Sequence, residues 1–262
     1  MKKDVTLKRE RVKKGIYVLP NLFTSASLFC GFYSIVASMK GDYHLAAVTI
    51  IIAFILDGLD GRIARMTNTT SQFGSQYDSL SDLVAFGVAP AILGYTWSLS
   101  SYGKWGWLAA FIFVACGALR LARFNVQIGL IESKLFNGLP IPGAASVVAT
   151  GVLLFYYLGG EGRFVNLSFF VVMVGLSLLM VSNIKYYSFK DLNFFSRKPF
   201  TSFVVIIFIL GIIVAEPQIM IFTFAFGYCL SGPTWTLFRM AKKAYVGLKE
   251  KKSPIKKHGL FP

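Results

Sequence analysis

Apolar runs of near-bilayer length follow one another along almost the whole chain, and they constrain the fold before any other feature is considered. A hydrocarbon core about 30 Å thick is crossed by about 20 residues of helix, and in lipid the backbone must satisfy its own hydrogen bonds. About eight such runs occur, over residues 16–39, 44–65, 75–99, 105–127, 141–159, 164–184, 198–215 and 217–238. The last two part mainly at Glu216-Pro217. The expected fold class is an all-α integral membrane protein with about eight transmembrane helices and a short N-terminal basic interfacial segment. With 55% hydrophobic residues and a mean hydropathy of +0.61, the 262-residue chain is too apolar for a soluble globule.

Charge divides the chain further. The net charge is +15, from 27 basic and 12 acidic side chains. Basic residues crowd both ends and a few interior loops, which points to anionic membrane lipids as surface partners and not to nucleic acid, for which no recognition module is present. The expected organisation is a basic juxtamembrane segment at 1–15, one transmembrane domain at 16–240 and a basic tail at 241–262. The N-terminus is basic for too long, and lacks a cleavage site, for a removable signal peptide. An even span count puts both termini on one side. The odd-numbered loops then carry only Lys40, Asp42, Lys104, Glu161, Arg163 and Glu216. The even-numbered loops carry Arg65, Arg120, Arg123, Lys134, Lys185, Lys190, Arg197 and Lys198. This asymmetry predicts cytoplasmic termini in the cytoplasmic membrane. Cys30, Cys116 and Cys229 stand isolated in apolar runs and read as packing residues, and neither His44 nor His258 suggests a catalytic role.

The stretch DGLDGRIARMTNTTSQFGSQYDSLSD, from Asp57 to Asp82, breaks the apolar pattern. Asp57, Asp60, Asp78 and Asp82 lie in or beside membrane-embedded runs, where ionisable groups signal function. The topology puts them at the cytoplasmic side. Asp57 and Asp60 are i,i+3, and Asp78 and Asp82 are i,i+4, so each pair shares a helix face. Gly61 and Ala64 share the first face and Gly74 the second, leaving room for a ligand. Four adjacent carboxylates repel one another unless protonated or neutralised by cations. Oxygen-only donors suit Mg²⁺, Mn²⁺ or Ca²⁺, and two divalent ions would balance the charge. Paired metals about 4 Å apart are a recurring solution for displacement at phosphorus.

This stretch resembles the signature of the CDP-alcohol phosphotransferase family, D-x2-D-G-x2-A-R-x8-G-x3-D-x3-D. Asp57, Asp60, Gly61, Ala64, Arg65, Gly74, Asp78 and Asp82 occupy its fixed positions. The resemblance implies a membrane enzyme that transfers a phosphatidyl or similar group from a CDP-linked lipid to an alcohol, with residues 16–240 as its catalytic domain. Three further runs, YDSLSDLVAFGVAPA, Arg120-Leu-Ala-Arg-Phe-Asn125 and Phe136-Asn-Gly-Leu-Pro-Ile-Pro-Gly143, are similar to the branch that makes phosphatidylserine. On that resemblance the substrates are CDP-diacylglycerol, or its archaeal ether analogue, and L-serine, and the cofactors are two divalent cations, Mg²⁺ or Mn²⁺. Asp57, Asp60 and Asp78 are expected to hold metal. Asp82 is expected to act as general base while also approaching a metal. Gly61, Ala64, Arg65 and Gly74 would meet the CDP-lipid, as would Asn21 and Thr24 of a Pro-Asn-x-x-Thr element common at the start of the family's first span. Arg120 and Arg123 would offer forks for the serine carboxylate, or anchor the helix end by snorkelling.

Pro90 inside an apolar run predicts a kink or local break. The loop at 133–142, with Gly138, Pro140 and Pro142, is expected either to cover the site or to be a rigid connection. Other acceptors, glycerol 3-phosphate or inositol phosphate, would use the same chemistry, and a homodimer stays open. A cation transporter is the reading of a different class. It would show repeated or paired broken helices, and residues 140–262 hold no second acidic cluster.

Overall fold

Every apolar run that the structure describes is helical, because a helix closes its backbone hydrogen bonds within one segment. The computed structural model describes residues 2–67, 71–127, 135–187 and 215–251, with side chains from Pro20 to Lys242 among them apart from those of Leu135, Phe136 and Tyr187. Helix α1 (Lys2–Lys40) turns through Gly41, at φ +82°, into α2 (Tyr43–Met66), where Asp42 caps the Leu45 N–H at 3.1 Å. Helix α3 (Gln72–Asp82) begins at an N-cap from Ser71 and runs through a π-helical segment, Leu83–Val88, into α4 (Ala89–Trp97). Helix α5 covers Lys104–Gln127, α6 Ile141–Tyr157, α7 Leu167–Val181 and α8 Pro217–Lys251.

Among the described residues, four stretches are long and apolar enough to cross a membrane: Pro20–Lys40, Tyr43–Met66, Gln72–Trp97 and Lys104–Gln127. Helices α6 and α7 are shorter and apolar. The expected span at 198–215 lies, but for its last residue, outside the described residues. The basic segment expected ahead of the first span continues into it as one helix from Lys2.

Small residues let these helices approach closely. Ala46, Ala47, Ala53, Ala85, Ala89, Ala144, Ala145 and Ala149 are buried. A Cβ on Gly31 would stand 2.6 Å from the Ala85 Cα, so α1 and the π segment touch backbone to backbone. Serine hydroxyls add polar ties between α1 and α2, from Ser27 to the Ala53 carbonyl at 3.1 Å and from Ser34 to the Ala46 carbonyl at 2.8 Å. Such pairings hold helices together where lipid supplies no hydrophobic drive.

The break expected at Pro90 takes the form of the π segment. Proline has no N–H and crowds the carbonyl one turn back. The Ala89 N–H bonds to the Val84 carbonyl, five residues earlier, and this wider turn carries the chain past Pro90 without a loop.

One element has no counterpart in the sequence reading. Strands β1 (Leu135–Asn137) and β2 (Lys185–Tyr187) pair antiparallel, with Phe136 opposite Tyr186, and close the bundle at one end. Gly138 follows β1 at φ +82°, its N–H bonded to the Ile184 carbonyl at 2.8 Å. A Cβ there would sit 2.3 Å from the Met180 carbonyl oxygen, so only glycine fits. The same end gathers the start of the α1 span, the end of α2, the start of α3, the end of α5 and the C-terminal half of α8. The opposite end holds an aromatic cluster of Trp97, Phe155, Phe164 and Phe169.

Candidate active site

The aspartates meet at the first of these ends because α2 finishes there and α3 begins there. One carboxylate oxygen from each of Asp57, Asp60 and Asp78 lies within 4.8 Å of the others. Asp60 is only 5% exposed, and Thr24 Oγ1 donates to its Oδ2 at 2.8 Å. Asp82 stands one turn beyond Asp78 on the same helix, close to the carboxyl of Asp57. Two like charges about 4 Å apart repel by about 4 kcal/mol at an effective dielectric of 20. The cluster therefore needs protons or cations. Asp78 Oδ1 is buried without a hydrogen-bond partner, and every donor is an oxygen. These residues fit a hard divalent cation.

Beside the carboxylates opens a cavity of about 190 Å³. Pro20, Asn21 and Thr24 of α1 line it, with Asp60, Gly61 and Ala64 of α2 and Gly74, Ser75 and Asp78 of α3. Nothing lies within 4 Å of where a Gly61 Cβ would stand, whereas a Gly74 Cβ would press on Ser71 Oγ at 3.1 Å and Asn21 Oδ1 at 3.4 Å. The first turn of α3 faces the same space, its Gly74 N–H taken by the Ser71 hydroxyl at 3.0 Å, and the helix dipole there favours an anion next to the carboxylates. One cavity thus offers oxygen ligands for cations beside a helix N-terminus.

The other singled-out residues are spread around this centre. Arg65 does not line the cavity; it is exposed, and its Nε donates to the Gly61 carbonyl of its own helix at 2.9 Å. Arg120 is buried near the end of α5 and Arg123 lies one turn further along. Arg123 donates to Asn183 Oδ1 at 2.7 Å. Sequence reasoning missed Ser71 and Ser75, although their spacing with Gly74 and Asp78 puts all four on one helical face. It also missed the bond between Ser25 and Tyr77 at 2.8 Å and that from Ser81 to the Thr24 carbonyl at 3.1 Å, which tie α3 to α1. Tyr228 of α8, within electrostatic reach of Arg120, carries no signal in the sequence.

The chain belongs to the CDP-alcohol phosphatidyltransferase family, whose pattern matches residues 17–181. Within that family it is 39% identical over 230 residues to a CDP-diacylglycerol–serine O-phosphatidyltransferase of Helicobacter pylori, across 87% of this chain and 94% of that protein. A Bacillus subtilis protein of the same name is 36% identical over 174 residues, across 66% of this chain and 91% of its own. An archaetidylserine synthase of Methanothermobacter thermautotrophicus is 39% identical over 170 residues, across 64% of this chain and 69% of that protein.

Proposed function

We propose that this chain transfers the phosphatidyl group of CDP-diacylglycerol to the hydroxyl of L-serine, giving phosphatidylserine and CMP. Likeness to serine O-phosphatidyltransferases over nearly the whole chain carries this reading, and the aspartate-lined cavity supports it. The archaeal relative extends the same chemistry to ether-linked donors.

In this reading Asp57, Asp60 and Asp78 hold two divalent cations, Mg²⁺ or Mn²⁺. Bound there, the cations supply Lewis-acid polarisation of the β-phosphate and neutralise charge on departing CMP. Asn21, Thr24, Gly61, Ala64 and Gly74 admit the CDP moiety closely, and Arg65 meets phosphate at the rim. Asp82 takes the proton of the serine hydroxyl as its oxygen bonds to the β-phosphorus. The bond from that phosphorus to the CMP oxygen breaks in the same displacement. No activated Ser, Cys or His stands beside the cluster among the described residues, which favours direct attack over a covalent enzyme intermediate. Arg120 or Arg123 receives the serine carboxylate.

Eight spans carry this unit over residues 16–240. Strand β2 ends at the aspartate end and α8 starts at the other, which supports an even count. Segments 1–15 and 241–262 then lie on the cytoplasmic side, against anionic headgroups. Purified protein given CDP-diacylglycerol, labelled L-serine and Mg²⁺ or Mn²⁺ is expected to form labelled phosphatidylserine and an equal amount of CMP. Activity is expected to vanish on chelation and to return with metal. Absence of label from lipid overturns the acceptor; full turnover after verified metal removal overturns the two-metal chemistry.

A further inference from the structure

Arg120 is a buried cation with little to hold. It is 8% exposed, and its Nε is buried without a partner. Its one hydrogen bond among the described residues, from a terminal nitrogen to the Gly138 carbonyl, is 3.4 Å long, beyond the usual range for N–H···O bonds. Among the described residues it makes no ion pair. A guanidinium withdrawn from water and left so poorly matched is costly, and burying a charge is tolerated when a counter-charge arrives.

The neighbours define what kind of anion would arrive. Asp82 and Tyr228 lie within electrostatic reach of Arg120, yet Asp82 does not close on it as a salt bridge. Asn125 Nδ2, on the helix of Arg120, donates to Ser79 Oγ, on the helix of Asp82, at 3.0 Å, so the proposed base and the unmatched fork stand on helices packed side by side and are not paired with each other. A small acceptor with a hydroxyl at one end and a carboxylate at the other carries one group for each. Arg123 differs: it is spent on Asn183, just ahead of strand β2, at 2.7 Å. The Gly138 carbonyl comes from the glycine-only position after β1, and its long bond to Arg120 leaves most of the fork's donors unused.

We infer that Arg120, and not Arg123, is the specificity residue that receives the carboxylate of the amino-acid acceptor, with Asp82 at the acceptor's hydroxyl. The inference rests on the serine-transfer reading above. Ethanolamine isolates the contact, since it keeps serine's hydroxyl and ammonium but lacks the carboxylate.

The test compares kcat/KM for L-serine and for ethanolamine in the full-length protein and in Arg120→Lys, Arg120→Gln and Arg123→Lys, at saturating CDP-diacylglycerol and Mg²⁺. Lys keeps the charge but loses the planar fork. The expected result for Arg120→Lys is a serine KM raised about 10- to 100-fold, the scale of a lost hydrogen bond to a charged group, with kcat/KM for ethanolamine unchanged. Arg120→Gln is expected to lose more of the preference for serine. A merely structural arginine would lower both acceptors together. Undiminished preference for serine in the folded Arg120 variants overturns the assignment, as does loss of preference in Arg123→Lys alone. If the unaltered protein transfers to no serine at all, the functional reading itself falls, a result distinct from either.

Discussion

Thr24 holds Asp60 by a single hydroxyl, and that bond orients a carboxylate which has almost no contact with water. Partners behind a metal ligand typically contribute 10- to 100-fold in metal affinity. Thr24→Val keeps the branched shape and removes the donor. Its expected effect is a roughly 10-fold rise in the Mg²⁺ concentration giving half-maximal activity, with turnover recovered at high Mg²⁺; an unchanged Mg²⁺ dependence would separate Thr24 from the metal ligands. The four aspartates separate by role in a similar way. Asn keeps shape and one acceptor oxygen but loses charge and basicity. Asp82→Asn is expected to lower kcat by roughly 10²-fold or more while CDP-lipid still binds in the presence of Mg²⁺. Asp57→Asn, Asp60→Asn and Asp78→Asn are expected to weaken donor binding instead. Equal loss of donor affinity in Asp82→Asn and Asp60→Asn, with another cluster variant sparing it, would move the base to that other position.

At the scale of elements, α8 is tied to strand β2 by a repair. Pro233 lies inside α8 and has no N–H to give to the carbonyl one turn back, that of Cys229. The buried Tyr186 hydroxyl supplies the missing donor at 2.9 Å. Gly232 makes room for the ring, since a Cβ there would stand 2.5 Å from it. Tyr186→Phe should cost about 1–3 kcal/mol, because a buried carbonyl is left unsatisfied. Pro233→Ala restores an N–H within the helix, so the double variant should be more stable than the two single losses added together. Additive losses in thermal unfolding would mean that the tyrosine hydroxyl is not what satisfies Cys229. This tie also shows where the sequence stops being legible. The six helices from α1 to α7 whose limits follow apolar periodicity, counting α3–α4 as one run, and the aspartate spacing could be read directly, since each depends on residues close in the chain. The strand pair could not. Strands of three residues carry no usable period, and β1 pairs with β2 across roughly 50 positions. Tyr228 and Asn183 escaped for the same reason: their significance comes from contacts made only when the bundle closes.

For the molecule as a whole, the fold and the charge pattern meet at one end. Asn21 and Thr24 line the cavity, so α1 enters the bundle from the aspartate end. Tyr228 and Cys229 lie near Arg120 and Tyr186, so α8 leaves by it. Helices α1 and α8 thus both extend past the site at the aspartate end, while Tyr157 meets Glu216 at the far end. Positively charged flanks are retained on the cytoplasmic side, and the proposed transfer would draw a CDP-linked donor and a polar amino acid from that compartment. With Cys30, Cys116 and Cys229 replaced, one new cysteine at either end reads the orientation. Met66→Cys, at an exposed position 85% accessible beside the aspartates, is expected to resist a membrane-impermeant maleimide in intact cells and to react once the membrane is opened. Glu161→Cys, exposed in the far-end loop, is expected to react in intact cells. A fluorescent reporter fused after Pro262 should mature in the cytoplasm. The reverse labelling pattern would put the aspartates on the outer face, away from both substrates, and would overturn the orientation together with the charge argument behind it.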